Sequence, residues 1–124
     1  MIGIERIYTY RTRKKRENEY LVLVDRLWPR GIRRDEMHID EWLKEISPSH
    51  ELRKWFGHEP EKWKEFMHRY LSELKSDAAS QAHLKRLRQL QENQTVTLLY
   101  SARDEVYNQA EALRQFITSE IGQD

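Results

Sequence analysis

The chain has 124 residues, the size of one ordinary domain, and its 22 basic and 21 acidic side chains leave a formal net charge of +1. Total charge therefore gives no argument for a nucleic-acid partner, and the absence of cysteine excludes a disulfide scaffold, a thiolate nucleophile and a cysteine-ligated zinc. No apolar run approaches the roughly 20 residues of a membrane span, and the opening MIGIERIYTY lacks the pattern of a signal peptide, so the expected compartment is the cytoplasm.

Hydrophobic residues make up 38% of the chain and include four Trp, six Tyr and three Phe, large enough side chains to fill one compact core. Residues 2–10, IGIERIYTY, read as a first strand. A polar, basic connector, RTRKKRENE, follows. YLVLVDRL, from Tyr20 to Leu27, holds five consecutive apolar residues and predicts a strand buried on both faces, as in a parallel sheet. Pro29 and Gly31 then enforce a turn. Residues 39–46 predict a short helix with Ile39, Trp42, Leu43 and Ile46 on one side. Ser47 and Pro48 fit an N-cap and first helical position for the next helix, ELRKWF, which Gly57 stops. Pro60 opens a third helix, in which Trp63, Phe66, Met67, Tyr70, Leu71 and Leu74 recur at helical steps. Residues 77–92 predict a fourth, capped by Asp77 and with Leu84, Leu87 and Leu90 inward. TVTLLYS, residues 95–101, reads as another buried strand. A last helix is expected from Asp104 to Ile117, with Val106, Ala110, Leu113 and Ile117 on one face. The strands at 20–27 and 95–101 are separated by a helical crossover and are expected to be parallel. Three strands with helices on their faces give a minimal three-layer α/β domain.

Three stretches carry a resemblance when taken together: LVDRLWPRG at 23–31, ELRKWFGHEPEKW at 51–63 and TLLYSARDEVYNQA at 97–110. In this order they resemble the YeaO-like branch of domain of unknown function 488 (DUF488), over essentially the whole chain. The resemblance implies a single α/β, Rossmann-like domain over residues 1–124, with a short, mainly parallel sheet and flanking helices. It brings no established activity, cofactor or substrate. Other branches of that group carry Cys-Ala-Glu-Lys-Asp at the end of the last strand and Cys-His-Arg at the next helix. Here those segments read Tyr100-Ser101-Ala102-Arg103-Asp104 and Asn108-Gln109-Ala110. If the missing groups perform chemistry there, this chain is either a non-catalytic variant or uses a different constellation.

Parallel sheets bind ligands beyond the carboxyl ends of their strands. That rule brings together the segment 25–31 and the segment 101–104. Arg26, Arg30 and Arg103 suit a phosphate or carboxylate. Trp28 offers a stacking face, Ser101 a hydroxyl, and Asn108 is counted with the ligand-binding residues. A helix starting near Asp104 would add backbone N–H groups. The competing expectation is that Asp25–Arg103 or Asp104–Arg26 are internal ion pairs, with Asp104 also capping the helix. A catalytic reading takes Asp25 or Asp104 as base and His58 as acid; otherwise His58 is a turn residue beside a packed Trp55 and Phe56.

The run Arg11, Arg13, Lys14, Lys15 and Arg16, with Arg26, Arg30, Arg33 and Arg34, could face nucleic-acid phosphates, with Tyr8, Tyr10, Tyr20 and Trp28 near bases. Glu17 and Glu19 follow at once, so a solvated loop of mixed charge competes with that reading. No HExxH, P-loop, GxGxxG or GxSxG occurs, and no metal or cofactor is predicted. The functional expectation is an anion-, nucleotide- or nucleic-acid-phosphate-binding domain with its pocket at the carboxyl edge of the sheet. The alternatives are an enzyme acting on a nucleotide or phosphorylated substrate, and a structural or partner-binding domain. No membrane partner is expected, and the oligomeric state is open.

Overall fold

Alternation along one buried strand organises the molecule. The computed structural model describes residues 1–119. Within them β1 (Ile2–Arg6), β2 (Glu19–Leu23), β3 (Glu41–Trp42) and β4 (Thr95–Tyr100) form a parallel sheet in the order β1-β4-β2-β3. The inner strand β4 sets Leu98 opposite both Ile4 and Val22. Its Val96, Leu98 and Tyr100 join one hydrophobic cluster, and Leu99 joins a second on the other face. β2 divides in the same way, with Val22 in the first cluster and Leu21 and Leu23 in the second. The period of two along a strand thus builds two cores from adjacent residues.

The first face is covered by α2 (His50–Phe56), α3 (Trp63–Lys75), α4 (Ala78–Leu90) and α5 (Gln109–Thr118). The stripe expected on α3 is present: Phe66, Tyr70 and Leu74 are buried, and the Tyr70 hydroxyl donates to the Ile46 carbonyl. The second face is covered by a single helical turn, α1 (Ile7–Tyr10), and by the loop that holds Trp28, Ile32 and Met37. The result is a small Rossmann-like three-layer domain with one thick and one thin outer layer. Among the described residues no helix is long and apolar enough to cross a membrane.

Several expected boundaries move. The first strand ends at Arg6 rather than Tyr10, because Ile7 and Tyr10, three apart, bury together on one side of a helical turn. The strand expected from Tyr20 to Leu27 ends at Leu23. No α-helix forms at 39–46. There the chain makes β3, which adds a fourth strand where three were expected, and then a 3₁₀ turn at Lys44–Ile46. The cap of α2 is Ser49, whose Oγ accepts from the Leu52 N–H at 3.1 Å, not Ser47, whose hydroxyl donates to the Val24 carbonyl. Gly57 stops α2 as expected, in the left-handed conformation at φ 53°. Pro60 opens a 3₁₀ turn, Pro60–Lys62, that leads into α3. Leu84 and Leu87 of α4 are buried, and Leu90 packs against the same cluster. The last helix starts at Gln109, not Asp104, and Val106 is 60% exposed.

Candidate functional site

β1, β2 and β4 run parallel, so their carboxyl ends open at one edge of the sheet. A cleft of about 1050 Å³ lies there, reached by Arg6 at the end of β1, Asp25 just beyond β2 and Ser101 just beyond β4. The loop after β2, the helix α2 and the loop before α5 wall it. Asp25, Arg26, Trp28, Arg30, His58, Ser101, Arg103 and Asn108 all line the cleft. Asp104 does not. Its Oδ1 accepts from the backbone N–H groups of Val106 and Tyr107, both at 2.9 Å, and these bonds hold its carboxyl below the usual range. It closes a turn ahead of α5, so the anion-favouring helix start expected beside it is not there.

Asn108 also has a structural task. Its Oδ1 accepts from the Glu111 N–H and its Nδ2 donates to the Asp104 carbonyl, both at 2.9 Å, which makes it the N-cap of α5. Trp28 is a fixed wall. Its indole N–H donates to the Ile32 carbonyl at 2.6 Å, its ring meets Trp42 edge-on at 5.4 Å, and the Arg34 guanidinium lies over both rings. His58 is exposed, with left-handed backbone at φ 59° directly after Gly57.

The basic side chains of the cleft are Arg6, Arg26, Arg30, Arg53, Lys54 and Arg103, against a single carboxylate, Asp25. Arg26 donates to the Ser47 and Pro48 carbonyls at 3.2 and 2.9 Å, and Arg6 to the Ala102 carbonyl at 2.9 Å. Among the described residues none of the six meets a carboxylate; outside the cleft Arg13, Arg69, Arg86 and Arg114 are ion-paired, while Arg88 donates to the Ile117 and Phe116 carbonyls. The internal pairs weighed above, Asp25–Arg103 and Asp104–Arg26, do not form: each carboxylate is bonded to other groups, and Arg26 to carbonyls.

Asp25 is 7% exposed. Its Oδ1 accepts from the Gln109 amide at 2.6 Å, and its backbone carbonyl accepts from the Trp42 indole at 2.7 Å. Burial raises its carboxyl above the ordinary value, opposed by hydrogen bonds from the Ser101 hydroxyl and N–H, the charge of Arg53 and the Gln109 amide. Oδ2 is buried, with almost no surface open to solvent.

The basic run after β1 does not assemble into an open stripe. Arg13 bridges Glu5 at 2.7 Å and Glu19 at 2.8 Å, Lys15 meets Asp40 at 3.1 Å, and Arg11 faces Glu36 at 3.6 Å. Among the described residues no three His, Asp or Glu side chains gather as a metal site would need. Sequence reasoning missed Arg6, Arg53, Lys54 and Gln109. Arg6 carried a signal, since ending the first strand four residues earlier would have placed it at the carboxyl edge. Arg53 and Lys54 carried none, because their place depends on how α2 packs.

Over residues 1–124 the sequence matches the family described as the inactive DUF488-N3 subclade. The chain belongs to this DUF488 family. It is 45% identical to the uncharacterized protein YeaO of Escherichia coli (strain K12) over 100 residues, covering 81% of this chain and 84% of YeaO. It is also 42% identical over 96 residues to an uncharacterized protein of Mycobacterium tuberculosis (strain ATCC 25618 / H37Rv), covering 77% of this chain and 78% of that one. An uncharacterized protein of Mycobacterium bovis matches at the same identity and coverage. No solved structure matches the chain. The DUF488-N3 match spans both strand-end loops and α2, the segments that wall the cleft.

Proposed function

We propose that the chain is a non-catalytic binding domain for an anionic ligand, a molecule bearing phosphate or carboxylate, held at the carboxyl edge of its sheet. One observation carries the reading: six basic side chains ring one cleft, and none of them meets a carboxylate among the described residues. Like charges gathered in this way repel one another, so a bound anion lowers the energy of the arrangement. Guanidinium groups also suit the oxygens of phosphate and carboxylate in shape. Nucleotides fall within this class, and a cleft of about 1050 Å³ has room for one. The description of the subclade as inactive, together with the lack of any cysteine, favours binding over catalysis.

Thermal-shift and calorimetric titrations with phosphate, pyrophosphate and mononucleotides test the reading, since a ligand that prefers the folded state raises its apparent stability. Arg103→Ala is expected to weaken binding about tenfold, the equivalent of one charge-assisted contact. The control is Arg69→Ala, outside the cleft and paired with Glu65 on the surface of α3. Equal effects of the two changes would count against a focused site.

A further inference from the structure

The cleft holds more positive charge than a single phosphate can match. Six basic side chains face one carboxylate, an excess of five positive charges with His50 and His58 neutral. A phosphate monoester brings about two negative charges. The cations also come from four separate places: the end of β1, the loop after β2, the helix α2 and the loop after β4. Two of them are tethered apart from each other. Arg6 closes β1, and its Nε donates to the Ala102 carbonyl just beyond β4. Arg26 follows β2, and one of its terminal nitrogens donates to the Ser47 and Pro48 carbonyls ahead of α2. β1 and β2 lie on either side of β4, so their ends stand two strand spacings apart, about 10 Å. A guanidinium has five N–H donors, and these carbonyls take one from Arg6 and two from Arg26. The terminal nitrogens of Arg6 bond to no described residue and are not among the buried unpartnered atoms, so they are open to the cleft. Arg26 is exposed. Each tether fixes a guanidinium without neutralising it and leaves N–H groups for a guest.

We propose that the cleft has two anion seats, one at Arg6 and one at Arg26, and takes a discrete small molecule that carries two phosphate groups. This rests on the anion-binding reading and names the ligand class more closely. Sugar bisphosphates and nucleoside polyphosphates belong to that class; a monophosphate fills one seat only. When one molecule fills both, its second contact is intramolecular and gains from the high effective concentration. A nucleic-acid strand also offers successive phosphates, but the basic run after β1 that would extend its track is ion-paired through Arg11, Arg13 and Lys15.

The test is calorimetric titration of the full chain with α,ω-alkanediol bisphosphates of rising length, each against the alkyl monophosphate of the same carbon number. At the length that spans the two seats, the bisphosphate should bind about a hundredfold tighter than its monophosphate, the lower end of what two linked contacts achieve. Arg6→Gln and Arg26→Gln should each remove most of that gain, while a monophosphate still binds at the seat that remains. If monophosphates bind but bisphosphates gain no more than about twofold at any length, the statistical advantage of carrying two groups, the inference fails while the anion-binding reading stands. A gain that is equal at every length, or that survives both variants, comes from charge alone and overturns the two seats. Oligothymidylates should bind no tighter than the best bisphosphate; affinity that climbs past it with strand length would make the partner a nucleic acid and overturn the small-molecule class. If no phosphate binds, both readings fall. The length series in the unaltered protein decides even if a variant fails to fold.

Discussion

Arg13 and Arg103 carry the same side chain in opposite circumstances. Arg13 sits in the basic run that looked most like a nucleic-acid contact, and the fold encloses it between Glu5 and Glu19. Its partners come from β1 and β2, which β4 joins, and no spacing in the sequence announces that meeting. Arg103 was legible because it follows a buried strand, and strand ends are where ligands bind in such sheets. The same chemistry makes Glu19 the residue with the clearest pH signature. Its side chain is 0% exposed. Burial pushes its carboxyl up, but bonds from the Arg13 guanidinium, the Arg16 N–H and the Thr97 hydroxyl outweigh that and hold it down to about 2, from an ordinary 4.5. A depressed carboxylate adds stability that is complete above the unfolded value and is lost as pH falls through the folded one. Glu19→Gln should therefore lower stability by about 3 kcal/mol at pH 7, the usual loss for breaking a buried pair. Its deficit against the unaltered protein should shrink as pH falls from about 5 toward 2. Urea denaturation across that range measures both, and a deficit independent of pH would show that the charge of Glu19 is not what holds the cluster.

At the scale of elements, hydrophobic periodicity succeeded where one element faces one core and failed where the chain passes between two. α3 and α4 each press a single stripe onto the first face, and both were readable. Residues 39–46 have the same helical spacing, yet Ile39 and Trp42 pack in the second cluster while Leu43 and Ile46 pack in the first. The segment crosses the sheet edge there, and its backbone pairs with β2 through Asp40 and Leu43. A pattern of spacing cannot tell one face from two. The late start of α5 has a different cause: Asp104 satisfies the N–H groups of its own turn, and Asn108 then caps the helix proper. Asn108→Ala should thus cost about 1 to 2 kcal/mol, the upper part of the range for a lost cap, because this one is 3% exposed. A urea midpoint that falls with an unchanged slope would report that loss. A shift of only a few tenths would mean that the Asp104 turn secures the helix without it.

For the whole molecule, a net charge of +1 conceals how the charges are placed, with some cations ion-paired and six that meet no carboxylate among the described residues gathered at one sheet edge. Composition records the sum, and only the fold records the partners. The two cores are similarly uneven. Four helices cover one face, and a helical turn and a loop cover the other. The thin side could unfold on its own if its contacts were separable, but the strands argue otherwise. Leu98 and Leu99 are neighbours on β4, both 0% exposed, one in each cluster, and β4 pairs with β1 and β2. Loosening either side disturbs the same hydrogen-bonded strand. Leu98→Ala and Leu99→Ala should each lower stability by about 2 to 5 kcal/mol, and each variant should still unfold in one transition. Trp55 and Trp63 pack on the thick side with the helices, and Trp28 and Trp42 on the thin side, so in a Trp55→Phe, Trp63→Phe background fluorescence reports the thin layer and far-ultraviolet dichroism the helices. Coincident curves are expected. Were Leu99→Ala to lose its fluorescence signal at a lower urea concentration than its helical signal, the thin layer would be a separate unit, and the cleft wall that Trp28 supplies would be able to open without unfolding the rest.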